Sequence, residues 1–261
     1  MRSLWRAWPR IKNRIAAHRK VLFLFDFDGT LAPLTRSHDE ARLSGKMRSL
    51  LSSLRCRDDV EVAILSGRAL PDLRSLVGLP SLYYCGNHGL EIKGPGISFS
   101  HPGAVSMRPV IQRLAGRLAR DLERFPGSVL ENKGLTLSVH YRRVPRARMP
   151  PLRRLRGTLV AETSALPVRW RDGHKVWELL PGVRWHKGAA CRYLMRRIAR
   201  SFPIALGDDA TDEDVFTAVR GRGLAVRVGR PGASQADYYL AGQGQVARFL
   251  RRARSLLDAK A

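Results

Sequence analysis

The segment FLFDFDGTLAPL, residues 23–34, places two carboxylates, Asp26 and Asp28, at the end of an apolar run. Residues 20–28, KVLFLFDFD, are typical of a buried strand, and Gly29 marks the turn that ends it. Alternate side chains of a strand point the same way, so Asp26 and Asp28 share one face. Two unpaired carboxylates would repel each other there, whereas a divalent cation such as Mg²⁺ would offset both the repulsion and the desolvation.

Strand-like and helix-like segments alternate through most of the chain. Further strands are predicted at 60–68, 82–87, 202–209, 224–229 and near 238–241, and helices at 41–54, 69–77, 186–200, 211–220 and 243–257. This alternation predicts an α/β fold, a Rossmann-like parallel sheet with helices on both faces. Residues 93–98, KGPGIS, should not be taken as a nucleotide loop, because they lack its glycine spacing and precede no clear helix.

The middle of the chain departs from this alternation. Its pattern is helix, strand, strand, helix, strand, strand, which predicts an inserted α+β cap domain. Proline and glycine mark its ends, in HPGA at 101–104 and PGVRW at 181–185. We therefore predict a catalytic core from residues 1–104 and 185–261, and a cap from residues 105–184.

A second acidic group follows another predicted strand, in ALGDDATDEDVF at residues 205–216. Acidic residues also favour the first turn of a helix, so a solvated helix start is the simpler interpretation of this segment alone. In an open α/β sheet, however, ligands bind beyond the carboxyl ends of the strands. Because Asp26 and Asp28 lie at such an end, the two acidic groups together favour a metal site.

Composition limits the possible partners without choosing among them. The 261 residues are 44% apolar, enough for a substantial core, and Lys and Arg outnumber Asp and Glu by 47 to 22, a net charge of +25. Such a charge attracts anions of every kind, including nucleic acid. A basic nucleic-acid-binding protein is therefore an alternative of another class, although the chain has no aromatic platform interleaved with its basic residues.

Cysteine content and hydropathy indicate a soluble, cytoplasmic protein. The three cysteines have no C-x-x-C spacing, which favours reduced thiols. No apolar stretch is long enough for a signal peptide or a transmembrane segment. Residues 1–20 could form an amphipathic helix on a membrane surface, but a leading helix packed on the domain is the preferred interpretation.

Four motifs in order resemble those of the haloacid dehalogenase superfamily of phosphatases: DFDGTL at 26–31, ILSGR at 64–68, WHKG at 185–188 and GDDATDEDVF at 207–216. Three further segments resemble the trehalose-6-phosphate phosphatases in particular: GNHGLE at 86–91, ENKGLTLSVHYR at 131–142 and KVWELLP at 175–181. The resemblance implies a Mg²⁺-dependent phosphatase acting on trehalose 6-phosphate. Related enzymes of the sucrose-phosphate or mannosyl-phosphoglycerate type are the alternative within the superfamily.

The resemblance also implies roles for the residues of the core motifs. Asp26 would be the nucleophile that becomes an aspartyl phosphate, and Asp28 the general acid and base. Ser66 would donate its hydroxyl to a phosphate oxygen, and Lys187 would stabilise the transferring phosphoryl group. The Mg²⁺ ligands would be the Asp26 and Asp208 carboxylates and the Asp28 backbone carbonyl, with Asp212 and Asp209 supporting the metal from outside or through water.

Substrate recognition is assigned to the cap together with part of the core. The predicted sugar-binding residues are Glu131, Lys133, Arg142 and Glu178 of the cap, with Arg68, Asn87 and His88 of the core. Glu131 and Lys133 are predicted two apart on one strand, so they face the same side. Arg142 and Glu178 are predicted on neighbouring strands. The expected partner is a small sugar phosphate, and a monomer is favoured.

Overall fold

The computed structural model describes residues 1–35, 40–173 and 175–260. The chain divides into two compact units, a large unit of Met1–Phe99 with Trp185–Ala261 and a small unit of Ser100–Arg184. The first division therefore falls slightly earlier than the boundary predicted after residue 104.

The elements follow one another in the order expected for an insertion. The first part of the chain forms β1 (Arg2–Ser3), α1 (Trp8–Ala16), β2 (Lys20–Asp26), α2 (Gly45–Arg55), β3 (Val60–Leu65), α3 (Leu70–Val77), β4 (Tyr83–Gly86), β5 (Glu91–Gly94) and β6 (Ile97–Ser100). The middle forms α4 (Pro102–Ser106), α5 (Arg108–Leu122), β7 (Val129–Asn132), β8 (Leu137–His140), α6 (Met149–Glu162), β9 (Val168–Gly173) and β10 (Val176–Pro181). The last part forms α7 (Lys187–Arg197), β11 (Ser201–Gly207), α8 (Glu213–Val219), β12 (Leu224–Val228), β13 (Tyr238–Leu240) and α9 (Val246–Asp258).

The strands of the large unit form one sheet in the order β1-β13-β12-β11-β2-β3-β4-β5-β6. All pairs from β1 to β4 are parallel. In the centre, Phe25 of β2 pairs with Leu206 of β11, and Asp26 pairs with Leu65 of β3. The carboxyl ends of these three strands are therefore level, which places the residues that follow them at one edge of the sheet. The predicted fold class is confirmed.

Helices cover both faces of this sheet, as the continuous apolar composition of β2 requires. Val21, Phe23 and Phe25 point into a buried cluster with α1, α2, α3 and α9. Leu22 and Leu24 point into the opposite cluster, which includes residues of α7 and α8. A strand that is buried on both faces has no polar side. The sequence of β2 is therefore an unbroken apolar run from Val21 until Asp26.

The amino-terminal segment packs on the large unit. Ile11 and Ile15 of α1 are fully buried in the cluster shared with α9, so the preferred interpretation of a packed leading helix is confirmed. Among the described residues, every helix is too short or too polar to cross a bilayer.

The small unit has a four-stranded antiparallel sheet in the order β7-β8-β10-β9. Leu137, Val139, Trp177 and Leu179 point to one face and pack in a cluster with residues of α5 and α6. Because side chains alternate along a strand, Ser138 and Glu178 point to the other face. The sheet of the small unit thus has one apolar side and one polar side.

The pair of strands β5 and β6 was not predicted. Ile92 and Ile97 are buried, whereas Lys93 is exposed, and Gly96 has a φ of 64° in the turn that joins the strands. Each strand has only four residues, which is too short for alternation to stand out beside two glycines and a proline. These strands extend the sheet beyond β4, to which β5 pairs in antiparallel orientation.

Candidate active site

Three carboxylates meet at the carboxyl edge of the large sheet. Asp26 ends β2, Asp208 directly follows β11, and Asp212 lies in the short 3-10 turn before α8. One oxygen from each lies within 4.8 Å of the others. The predicted meeting of the two acidic motifs therefore occurs in the described structure.

Lys187 joins this carboxylate cluster from α7, of which it is the first residue. Its Nζ donates to Asp26 Oδ1 at 2.7 Å and to Asp212 Oδ1 at 2.9 Å. Only 3% of the lysine side chain is exposed. A charged lysine buried this deeply is stable only because it has ionised partners.

Asp212 and Asp209 fix the loop that carries Asp208. The second oxygen of Asp212 accepts hydrogen bonds from the backbone N–H groups of Asp208, at 3.0 Å, and Asp209, at 3.2 Å. Asp209 in turn caps the 3-10 turn by accepting from the Thr211 N–H at 2.8 Å. Both residues thus have a clear local role in holding the loop, in addition to the metal support that the sequence suggested.

Gly29 allows the turn after β2 to approach Asp208 closely. Its φ of +90° lies in the left-handed region, and a Cβ atom there would lie 2.2 Å from Asp208 Oδ2. Any other residue would therefore clash with the carboxylate as well as strain the backbone. The glycine in DFDGTL is explained by this contact.

Burial and mutual repulsion perturb the pKa values in the cluster. Burial raises the pKa of Asp208 to about 7, with further contributions from Asp212 and Asp209. Burial also raises the pKa of Asp212 to about 6, although Lys187 opposes the shift. For Lys187 itself, burial would lower the pKa, but Asp212 and Asp26 outweigh it and raise the pKa well above its usual value. The pKa of Asp26 is raised well above normal, chiefly by burial, again against the effect of Lys187.

This donor set fits a divalent cation. Asp26 Oδ2 is buried and has no hydrogen-bond partner in the described part of the chain. Within the described ranges of the chain, Asp208 Oδ1 accepts only from the Thr30 hydroxyl, at 3.2 Å, so it retains lone pairs. Carboxylate oxygens are hard ligands, and a cation between them would relieve the repulsion that raises their pKa values. Asp212 is already bonded to Lys187 and two backbone groups, so Asp26 and Asp208 are the better candidate ligands.

The side chain of Asp28 is held by Arg68, away from the carboxylate cluster. Arg68 donates from Nη2 to Asp28 Oδ1 at 2.7 Å and from Nε to Asp28 Oδ2 at 2.8 Å. It also donates to Asp72 at 3.1 Å, and its guanidinium lies 5.4 Å from the centre of the Phe27 ring. The sequence assigns Arg68 to substrate binding, and in this structure its guanidinium is hydrogen-bonded to the carboxylates of Asp28 and Asp72.

Ser66 and the GNHG segment adjoin this pair. The Arg68 N–H donates to Ser66 Oγ at 3.2 Å. The Asn87 N–H donates to the Arg68 carbonyl at 2.7 Å, and the His88 N–H donates to the Ser66 carbonyl at 2.9 Å. Asn87 and His88 both have positive φ values, of 48° and 58°. Four of the predicted residues are therefore linked through backbone contacts, while the Asn87 amide donates to Glu91 at 2.5 Å.

Three predicted residues also meet on the polar face of the small sheet. Lys133 Nζ lies 3.6 Å from Glu131 Oε2 and 3.8 Å from Glu178 Oε1. Glu131 and Glu178 pair with the same residue, Ser138, from opposite sides. Lys133 lies one residue beyond the end of β7, and only 4% of its side chain is exposed. We name Glu131, Lys133 and Glu178 the acidic row.

The prediction that Arg142 lies on a strand was wrong. β8 ends at His140, and Arg142 lies in the turn that follows, where it is exposed. The segment LTLSVHYRR continues the strand pattern past this point, but the Tyr141 N–H donates to Lys175 O and the Val144 N–H bonds back to Tyr141 O. The backbone thus leaves the ladder before Arg142.

Two residues that sequence reasoning missed contact the acidic row. Arg171 Nε donates to Glu178 Oε2 at 3.0 Å from the neighbouring strand, and His140 Nε2 lies 2.9 Å from Glu131 Oε2. Ser138 Oγ is buried without a hydrogen-bond partner among the described residues. The pairing register of β7, β8, β10 and β9 brings these side chains together. Sequence analysis missed Arg171 and His140 because a single sequence does not contain the strand pairing.

The parallel sheet has the same fold as a solved haloacid dehalogenase-like hydrolase from Bacteroides thetaiotaomicron, which matches with a TM-score of 0.62 and 15% identity over 89% of this chain and 99% of that chain. The profile of the Trehalose-phosphatase family matches residues 24–242. The chain belongs to this trehalose-phosphatase family.

Individual relatives agree with this assignment. The chain is 31% identical to trehalose-phosphate phosphatase B of Arabidopsis thaliana over 94% of its own length and 69% of that protein. It is 37% identical to the trehalose-phosphate phosphatase of Mycobacterium avium over 78% of its length, but spans only 53% of that longer protein. A solved structure of a trehalose-6-phosphate phosphatase related protein matches with a TM-score of 0.80 and 26% identity, covering 92% of this chain and 100% of that chain.

Proposed function

We propose that this chain hydrolyses trehalose 6-phosphate to trehalose and phosphate through an aspartyl phosphate on Asp26. The main support for this proposal is the hydrogen bonding of the Asp26 carboxylate. One oxygen accepts from Lys187 at 2.7 Å, while the other is buried without a hydrogen-bond partner among the described residues. A nucleophile needs such an uncommitted lone pair, together with a cation that keeps it ionised.

Mg²⁺, held by the Asp26 and Asp208 carboxylates and the Asp28 carbonyl, would supply positive charge between the nucleophile and the anionic phosphate. Asp26 Oδ2 attacks phosphorus, the bond from phosphorus to the sugar oxygen breaks, and that oxygen takes a proton from Asp28. Water then attacks the phosphorus of the aspartyl phosphate while Asp28 takes its proton. The bond from phosphorus to Asp26 Oδ2 breaks, which restores the Asp26 carboxylate and releases phosphate. Lys187 stabilises the carboxylate and the developing phosphoryl charge throughout.

The contact between Asp28 and Arg68 bears on the two proton transfers. A bidentate guanidinium partner suits the ionised form of Asp28, which is the form that takes a proton from water. To protonate the sugar oxygen, Asp28 must turn away from Arg68. In this proposal Arg68 therefore positions Asp28 for the second half of the reaction.

The acidic row on the small unit is proposed to bind sugar hydroxyls. Its two carboxylates accept hydrogen bonds and Lys133 donates them, which is the mixture that a disaccharide needs. Arg171 and His140 hold the carboxylates in place, so the row is rigid before substrate binds. The small unit is thus proposed as the specificity domain, while the phosphate chemistry belongs to the large unit.

Glu178→Ala and Glu131→Ala should lower kcat/KM for trehalose 6-phosphate by about 5- to 150-fold, since a lost polar contact costs about 1 to 3 kcal/mol. Hydrolysis of p-nitrophenyl phosphate, which has no sugar, should change far less. The measurement is phosphate release from these two substrates, from sucrose 6-phosphate and from mannosyl phosphoglycerate. The unaltered enzyme should prefer trehalose 6-phosphate.

Glu162→Ala is the matched control, because Glu162 pairs with Arg117 on the helices of the same unit. It should leave both activities unchanged. Equal losses on the sugar ester and the aryl ester would contradict the role of the acidic row, and equal rates across the sugar phosphates would contradict the assigned substrate.

The affinity for Mg²⁺ should fall as pH drops below about 7. Burial raises the pKa of Asp208 in the folded protein from its ordinary value of 3.8 to about 7, so the metal-free folded protein retains a proton that Mg²⁺ must displace. Retention of this proton stabilises the folded, metal-free protein relative to the unfolded chain. The stabilisation is complete at low pH and is lost as the pH rises from about 4 to 7. Below pH 7, each pH unit should weaken Mg²⁺ binding at least about tenfold, because Asp208 gives up one proton and Asp26, whose pKa is also raised, can give up another.

Calorimetric titration of EDTA-treated protein with Mg²⁺ at pH 6, 7 and 8 would measure this dependence. Asp208→Asn removes the titrating carboxylate, so its weaker binding should vary less with pH. A dissociation constant that is the same at pH 6 and pH 8 in the unaltered protein would refute the competition.

Compartment and assembly complete the proposal. Cys56, Cys85 and Cys191 are all free thiols, which suits the reducing cytoplasm. We propose that the enzyme acts there as a monomer, which light scattering on the purified chain would check.

A further inference from the structure

We propose that the large unit has a second anion site, a groove between α1 and α9 that binds a small polyphosphate or multiply phosphorylated metabolite. The groove has a volume of about 520 Å³, within the range of small-molecule sites. Its lining includes four cations, Lys12 of α1 and Arg248, Arg251 and Arg252 of α9. This site is separate from the proposed activity, because none of its residues belongs to the carboxylate cluster or the acidic row.

The four cations have no acidic partner within the described chain. None of their side-chain nitrogens forms an ion pair with a described carboxylate, although all four side chains are exposed. Elsewhere on α9, Arg254 pairs with Asp258 at 3.4 Å. Four unneutralised charges around one concave surface repel each other, and an anion that binds among them relieves that repulsion.

Two tryptophans organise these cations. The Arg248 guanidinium carbon lies 4.5 Å from the centre of the Trp5 ring. That of Arg252 lies 5.6 Å from Trp5 and 5.7 Å from Trp8. Stacking on a ring face leaves the N–H edges of a guanidinium available to donate, and it reduces the side-chain freedom lost when a ligand binds. The groove is therefore more ordered than a solvated arginine face.

The chemistry of the lining indicates the ligand class. Guanidinium groups bind phosphate oxygens through paired N–H donors. Arg248 and Arg252 are one helical turn apart, about 6 Å along α9, so one small ligand with two or more phosphate groups reaches both. The apolar side chains at the groove are partly buried, so they offer little surface for insertion into a bilayer, and the concave shape favours a small ligand over a membrane.

Inorganic tripolyphosphate is the probe for this site. Isothermal calorimetry on the full chain should detect its binding, and tryptophan emission should change because Trp5 and Trp8 adjoin the cations. Arg248→Gln with Arg252→Gln should weaken the binding at least tenfold. Both side chains are exposed and lie outside the carboxylate cluster, so this double variant should keep the fold and the phosphatase activity of the parent.

Arg192→Gln with Arg196→Gln is the matched control. These arginines are exposed on α7 with the same four-residue spacing, so the change in net charge is identical, and tripolyphosphate affinity should fall by no more than about twofold. Equal losses in the two double variants would overturn the proposal and show attraction by net charge alone. Absence of binding to the parent would also overturn it. A third result would overturn it as well. In that result, binding to phosphatidylglycerol vesicles depends on Arg248 and Arg252, whereas tripolyphosphate binding does not.

Discussion

Asp26→Asn should reduce kcat for trehalose 6-phosphate by at least about 1000-fold, because an amide cannot form the acyl phosphate. The fold should survive, since the substitution keeps the size of the side chain and removes one negative charge from a crowded cluster. Lys187 retains Asp212 as a partner at 2.9 Å. The pKa of Asp26 is raised mainly by its burial, so the metal-free variant should be at least as stable as the parent near neutral pH.

Phosphate release and thermal unfolding of the metal-free protein would measure the two effects. Asp172→Asn is a suitable control, because Asp172 pairs with Arg156 and 67% of its side chain is exposed. The control should keep full activity. More than about a tenth of the parent rate in Asp26→Asn would reject Asp26 as the nucleophile.

Lys187→Met should impair both activity and stability. The phosphoryl group loses its fixed cation, which should cost on the order of 100- to 1000-fold in kcat. Asp26 and Asp212 would face each other without the ammonium that now lies within hydrogen-bond distance of both. Removing one partner from a buried pair typically lowers the free energy of unfolding by about 3 to 5 kcal/mol. The effect on stability is therefore opposite in sign to that of Asp26→Asn.

Lys20→Met provides the comparison for stability on the same strand as Asp26. Lys20 pairs with Glu61 at 2.8 Å, but both side chains are partly exposed, so its loss should cost less than about 1 kcal/mol. In the double variant with Asp26→Asn, the stability lost in Lys187→Met should be largely regained while activity stays absent. Denaturant unfolding of the single and double variants would show this. Additive losses would mean that Lys187 and Asp26 act independently.

The general architecture was predictable because its signals are local. The run from Val21 to Phe25 is apolar at every position, as expected for a strand that helices cover on both faces. Alternation of such strands with helices then implies the parallel sheet, and the switch to paired strands after residue 125 marks the insertion. Asp26 and Asp208 could be brought together from sequence because parallel strands end at a common edge.

Local signals failed where elements are short or where the chain leaves a ladder. The strands β5 and β6 have four residues each, and Arg142 continues a pattern that the backbone abandons at His140. In both cases the secondary structure depends on which segment of the chain lies alongside. Sequence periodicity contains no information about that neighbouring segment.

The sequence by itself determined the fold class, the family resemblance and the residue types at the strand ends. Only the tertiary structure decided which side chains are partners. Lys187 reaches Asp26 across 161 positions of chain, Arg68 binds the Asp28 carboxylate from 40 positions away, and Arg171 contacts Glu178 through strand pairing. The physical reason is that periodicity and turn chemistry depend on neighbours within a few residues, whereas an ion pair depends on the packing that sets two backbones and two rotamers together.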